Sequence, residues 1–143
     1  MKKGLLLFLC FLLTIIGVIF MSSCGSKRTK GIKDFPQYKN LDVEVSHILV
    51  YWDVNSSEPV NFTIDSADDI KFVMEKLQDR STFKKADTVT DTGHTYMVLV
   101  GKDDSQTKVS LHQINYNKDI YVYVDSTIYN YIYSIGVNKG LLK

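Results

Sequence analysis

Hydrophobic residues between positions 43 and 135 recur with two alternating periods, which predict strands and helices in a definite order. Residues 43–52 alternate apolar and polar positions at first and then become apolar on both faces, which is typical of a central strand. The same period of two predicts strands at residues 60–64, 95–102, 107–114 and 120–124, with a further short strand at 82–86.

Two helices are predicted from apolar residues spaced three and four positions apart. The first stripe follows Ser66, a favourable N-cap residue, and consists of Ile70, Val73, Met74 and Leu77. The second follows a cap at Asp125 or Ser126 and consists of Ile128, Tyr131, Ile132 and Ile135. Gly136 is placed to end this second helix.

The predicted order of elements is therefore β-β-α, an irregular joint that contains the short strand, and then β-β-β-α. Short turns join the last three strands and leave no room for a parallel crossover, so these strands are expected to form an antiparallel meander. We predict an α+β domain of two layers, in which an antiparallel sheet of about five strands carries the helices on one face. The residues expected in its core include Leu77, Leu99, Val109 and Ile132.

The first 24 residues follow a different pattern. Lys2 and Lys3 precede an apolar run over residues 5–20, which is the organisation of a secretory signal peptide. Met21-Ser22-Ser23-Cys24 resembles the lipobox of bacterial lipoproteins, although Met21 stands where leucine is usual. The resemblance implies cleavage before Cys24, lipidation of its thiol and attachment to the outer side of a bacterial membrane. An uncleaved membrane-spanning helix over residues 4–21 is the alternative, and it too would export the rest of the chain.

We accordingly divide the chain into a lipoprotein signal peptide at residues 1–23, a lipidated tether at 24–40 and a globular domain at 41–143. The tether has five basic residues and one acidic residue after Cys24 and lacks apolar periodicity. It is either a simple solvated linker or a segment that sits on anionic headgroups. The domain has ten basic and fifteen acidic residues, which argues against nucleic acid as a partner.

Cysteine usage restricts the chemistry of the mature chain. Cys10 lies in the signal peptide, so Cys24 is the only cysteine left after cleavage. An intramolecular disulfide, a cysteine metal cage and a cysteine nucleophile are therefore excluded. The histidines His47, His94 and His112 also lack the close spacing of zinc ligands, so we expect neither a metal nor a cofactor.

Asp91-Thr92-Gly93 matches the triplet found at the centre of aspartic proteases, where two carboxylates share a proton and activate water. A single copy would require a homodimer. The flanking residues Thr90 and His94 depart from the protease pattern, and Asp-Thr-Gly is also an ordinary turn sequence. We therefore expect Asp91 to be a turn residue, with a small aspartic-type hydrolase as the alternative.

Aromatic residues crowd the last third of the chain. Tyr121 and Tyr123 share one face of their predicted strand, and together with Trp52 they could form a platform for a glycan or an extended peptide. The competing interpretation is that these rings pack beneath the helices.

The chain resembles the small export domains of uncharacterised bacterial lipoproteins. The resemblance rests on the segments ADDIKFVMEKLQD and NKDIYVYVDSTIYNYI, and it implies no particular activity. From the sequence we therefore expect a lipid-anchored extracytoplasmic envelope protein, not an enzyme, with a domain that binds a protein or peptide. The alternatives are the hydrolase and a structural accessory of an envelope complex.

Overall fold

A computed structural model describes residues 29–39, 41, 44–88 and 94–143 of the chain. Seven strands and two α-helices make up these ranges. The strands are β1 (Val45–Trp52), β2 (Val60–Ile64), β3 (Phe83–Ala86), β4 (Tyr96–Gly101), β5 (Gln106–Ser110), β6 (Gln113–Tyr116) and β7 (Asp119–Tyr123). The helices are α1 (Ala67–Gln78) and α2 (Thr127–Asn138), and two 3-10 turns precede β1 at Ile32–Asp34 and Pro36–Tyr38.

The strands form two antiparallel sheets, one of four strands in the order β2-β1-β4-β5 and one of three in the order β3-β7-β6. The predicted α+β class and the antiparallel pairing are confirmed, and β1 is central in its sheet as its two-faced apolar pattern predicts. The number of strands and sheets differs from the single sheet of about five strands that the sequence predicts.

The difference arises at Ser110, where one predicted strand becomes two. The Ser110 hydroxyl accepts hydrogen bonds from the backbone N–H groups of His112 and Gln113, at 3.2 and 3.3 Å. A side chain that satisfies backbone donors in this way competes with continuation of the ladder. The chain therefore leaves the four-stranded sheet after β5 and enters the three-stranded sheet at β6, so the expected three-strand meander is split between two sheets.

Local sequence explains the helix ends. The Ser66 side chain accepts a hydrogen bond from the backbone N–H of Asp69 and caps α1, as expected. At α2 the cap is supplied by Asp125, whose carboxylate accepts from the N–H of Thr127 at 2.9 Å. Contrary to the sequence expectation, α2 continues through Gly136 and ends before Gly140, whose φ of +70° is a conformation that glycine adopts without strain.

Residues 30–39, which the sequence analysis assigns to the tether, pack onto the domain. Lys30 forms an isolated bridge with Phe83, through backbone hydrogen bonds of 2.8 and 2.9 Å. Ile32 and Phe35 are both fully buried. These two large apolar side chains are three residues apart and lie on one side of a 3-10 turn. The turn is too short for its apolar positions to show as periodicity along the sequence.

One core holds the two helices, both sheets and this N-terminal segment together. Leu77, Leu99, Val109 and Ile132 are all buried in it, which confirms the core positions that the sequence predicts. Both helices contribute to the same cluster as the inward residues Ile48, Val50, Met97 and Leu99 of the four-stranded sheet. The helices therefore cover one face of that sheet.

Candidate functional site

The outward face of the four-stranded sheet carries apolar residues on its two central strands. Directly paired residues of an antiparallel sheet point to the same face, so Leu49 lies beside Val98, and Tyr51 lies beside Tyr96. These four side chains are half-buried, and none belongs to the core cluster of the described residues or packs against it. We call them the open sheet face. A solvated face of an antiparallel sheet normally carries polar residues, so this composition requires an explanation.

The two tyrosines of the open sheet face are stacked on each other. Their ring centroids are 4.8 Å apart and their planes differ by 15°. The ammonium group of Lys108 lies 3.6 Å from the centroid of the Tyr96 ring, in cation–π geometry. Stacking and the cation fix the orientation of both rings, so a partner would meet them already ordered.

Polar residues of the edge strands surround the open sheet face. Asn61 and Thr63 of β2 pair with Tyr51 and Leu49 on one side, while Lys108 and Ser110 of β5 pair with Val98 and Tyr96 on the other. Four strands and about five residues in each give an area of roughly 300 Å². About half of that area, on the two central strands, is apolar.

The contact surface predicted at Trp52, Tyr121 and Tyr123 is not an exposed platform. Trp52 and Tyr121 are only 8% and 7% exposed. The Trp52 ring packs against Tyr129 of α2 at 4.7 Å, and Tyr121 packs against Phe35 at 5.0 Å. Trp52 therefore packs against a helix, whereas Tyr121 packs against the N-terminal segment, and both belong to the core.

Tyr123 is held inside the fold by its hydroxyl group, which donates a hydrogen bond of 2.9 Å to the carbonyl oxygen of Ser110. Its ring packs against Phe83 at 4.6 Å. Burial raises the pKa of Tyr123 well above its ordinary value of 10.0. The residue thus ties β7 to the end of β5, at the place where the chain passes between the sheets.

Tyr51, which sequence reasoning missed, is the neighbour of Trp52, which it chose. Adjacent residues of a strand point to opposite faces, so Tyr51 is outward where Trp52 is inward. The signal was present in the two strands that are apolar on both faces, residues 48–52 and 96–100. Among the described residues the helices lie on one side of the sheet and leave the second apolar face of such strands uncovered.

A cleft of about 440 Å³ lies between the three-stranded sheet, the segment that joins β5 to β6 and the start of α2. Its polar side chains are Lys84, His112, Gln113, Tyr123, Asp125, Ser126 and Tyr129. The ring centroids of His112 and Tyr129 are 5.7 Å apart, and burial raises the pKa of the Tyr129 hydroxyl. The cleft combines hydrogen-bond donors and acceptors but presents no nucleophile hydrogen-bonded to a base among its lining residues.

The remaining candidate residues are Cys24, Asp91 and the three histidines. Cys24 and Asp91 both lie outside the described residues, so lipidation and the aspartic-type hydrolase stay predictions. His47 lies on β1, His94 lies before β4, and His112 lies before β6. In the described part of the chain, no three His, Cys, Asp or Glu side chains are grouped so that they could hold a metal ion.

No protein-family model matches this chain, and neither a curated protein nor a solved structure is significantly similar to it. Within residues 29–39, 41, 44–88 and 94–143, the helices are not long and apolar enough for any of them to cross a membrane.

Proposed function

We propose that this chain is a lipid-anchored extracytoplasmic protein of a bacterial envelope and that it binds another protein through the open sheet face. The observation that carries the binding role is the apolar composition of Leu49, Tyr51, Tyr96 and Val98, outside the core and on the uncovered side of a central strand pair. The anchor is supported by the signal-peptide pattern and the lipobox that ends at Cys24.

The geometry of the open sheet face suits a protein surface. An apolar centre with a polar rim is the usual anatomy of protein interfaces, and tyrosine is enriched among the residues that dominate binding energy. Tyrosine also loses little conformational entropy on binding, and the stacked arrangement of Tyr51 and Tyr96 reduces that loss further. A nearly flat sheet surface accommodates a folded partner better than it encloses a small ligand.

Site-specific photo-crosslinking in the native bacterium tests the binding role. A photoreactive phenylalanine analogue at position 51 is expected to give a discrete adduct with one other protein. The matched control places the analogue at Phe72, a half-buried aromatic residue of α1, and is expected to give none. An adduct between two copies of this chain, or no adduct at position 51, would contradict the proposal.

Affinity measurements with the captured partner then test the individual residues. Tyr51→Ala and Tyr96→Ala are each expected to weaken binding by about 30-fold, as for interface residues that cost at least 2 kcal/mol when truncated. Val137→Ala alters an apolar side chain that is 40% exposed on α2 and should leave binding unchanged. Equal affinities for all three variants would place the binding surface elsewhere.

The anchor is tested separately through Cys24. The wild-type protein should incorporate labelled fatty acid and enter the detergent phase, because two acyl chains give stable membrane attachment. Cys24→Ala should lose the label and accumulate as uncut precursor. A correctly processed Cys24→Ala protein that still enters the detergent phase would show that the chain is not a lipoprotein.

A further inference from the structure

The first described residues are held against the edge of β3. Lys30 is joined to Phe83 of β3 by two backbone hydrogen bonds, and its ammonium group lies 5.1–5.4 Å from the ring centroids of Phe35, Tyr116 and Tyr121. Ile32 and Phe35 are fully buried immediately afterwards. Lys30, which we call the entry point because the described residues start beside it, therefore lies at the edge of β3 away from β7 and cannot move relative to the rest of the domain without loss of core packing.

The distance from Cys24 to this entry point is limited by covalent geometry. Lys30 is six residues after Cys24, and six residues span at most about 20–22 Å. A domain of about 100 residues has a radius of gyration of about 13 Å, so its diameter exceeds about 30 Å. A lipid at Cys24 would thus hold the β3 edge near the bilayer and would prevent the opposite side of the domain from turning towards it.

Basic residues lie on β3 and in the turn between β6 and β7. Lys85 of β3 forms an ion pair of 2.8 Å with Asp119, and Lys118 precedes that aspartate in the turn between β6 and β7. Lys84 is exposed on the other face of β3. We call Lys30, Lys84, Lys85 and Lys118 the basic edge. Asp87 and Asp119 lie beside Lys85, and Asp125 lines the same cleft as Lys84, so these three carboxylates stand against the four lysines.

We propose that the basic edge lies against anionic lipid headgroups and holds the domain in one orientation on the membrane. This inference rests on the lipid anchor proposed above and adds a second contact with the same bilayer. Three observations favour anionic headgroups as the contact: the position of the entry point, the short reach from Cys24 and the charge of the edge. Each lysine near an anionic surface should strengthen the contact by about fivefold.

Lipid-borne quenching of a fluorophore tests the orientation in the lipidated full-length mature protein, reconstituted in vesicles that contain phosphatidylglycerol. The thiol of Cys24 is occupied by the lipid, so a cysteine introduced at Thr88→Cys, just after β3, or at Val137→Cys, near the end of α2, can be labelled alone. Both residues are exposed. Position 137 is ten residues along α2 from its first residue, a distance of about 15 Å.

A quencher attached to the headgroups should act several-fold more strongly on the label at position 88 than on the label at position 137. Lys84→Gln should lower the equilibrium constant for contact between the basic edge and the headgroups by up to about fivefold. Quenching at position 88 should weaken accordingly. Lys139→Gln, an equal loss of charge at the end of α2, should not weaken it.

Two negative results are distinguishable. Protein that fails to sediment with the vesicles overturns the anchor and, with it, the orientation. Protein that sediments, but whose labels at positions 88 and 137 are quenched equally, overturns the orientation alone. Equal effects of Lys84→Gln and Lys139→Gln would likewise show that the basic edge does not contact the headgroups.

Discussion

The ring of Phe35 packs edge-on against the ring of Tyr121, with centroids 5.0 Å apart and planes at 74°. Phe35 also contacts Phe83, Tyr116 and Tyr38 at centroid distances of 5.5–6.5 Å. The N-terminal segment thereby covers the inner face of the three-stranded sheet. Without it, Tyr121 would be left open to water, so the segment is part of the fold.

Phe35→Ala is expected to destabilise the mature protein by about 3–5 kcal/mol, because it removes a fully buried ring and leaves a cavity. Urea denaturation followed by far-UV circular dichroism measures the change. Lys39→Ala, an exposed residue of the same segment, is the control and should change stability by less than about 0.5 kcal/mol. Equal stabilities of wild type and Phe35→Ala would mean that the segment is a free tether.

The two faces of β4 should respond differently to truncation. Leu99→Ala removes a side chain that is 2% exposed in the core and should cost about 2–5 kcal/mol. Val98→Ala alters the adjacent residue on the open sheet face and should cost about 1 kcal/mol or less. Chemical denaturation of both variants gives the comparison, and a larger loss for Val98→Ala would reverse the assignment of faces.

Stability should fall at high pH because of Tyr123. Its pKa is raised by burial in the folded state, so the folded protein binds the phenolic proton more tightly than the unfolded chain does. The resulting stabilisation is complete below the unfolded pKa of 10.0 and is lost as the pH rises above it.

Thermal denaturation between pH 8 and pH 11 should therefore show a decline that is shallower in Tyr123→Phe. Below pH 10 this variant should also be less stable by about 1–3 kcal/mol, because the carbonyl oxygen of Ser110 loses its hydrogen-bond donor. Parallel pH profiles for the two proteins would mean that the Tyr123 hydroxyl is not buried.

The turn between β6 and β7 is a site where stability can be gained. Asn117 and Lys118 have φ angles of 51° and 66°, which suit a two-residue hairpin turn. Glycine adopts this conformation without the steric cost that lysine bears, so Lys118→Gly should stabilise the protein by about 1 kcal/mol.

The change of midpoint in urea denaturation reports this gain. Lys139→Gly is the matched control, because Lys139 has a φ of −79° and offers no such strain to relieve. It should be neutral or destabilising. A loss of stability in Lys118→Gly would show that the lysine side chain makes a contact worth more than the strain.

The amino-acid sequence by itself determined the elements that depend on local pattern. Alternation over residues 43–52 and 95–102 is sufficient for strands, because side chains of a strand point alternately to its two faces. The spacing of Ile70, Val73 and Leu77 is sufficient for a helix with one buried stripe. The same periodicities identified Leu99 and Ile132 as core residues, and the structure confirms both.

Only the tertiary structure decided which apolar surface is covered and which is left open. Alternation with a period of two places Tyr51 and Trp52 on opposite faces of the strand, but it does not show which face the helices occupy. That choice is made by packing between residues far apart in sequence, such as Trp52 with Tyr129 and Phe35 with Tyr121. Docking of residues 30–39 and the change of sheet at Ser110 have the same origin, since both depend on partners that no local pattern can supply.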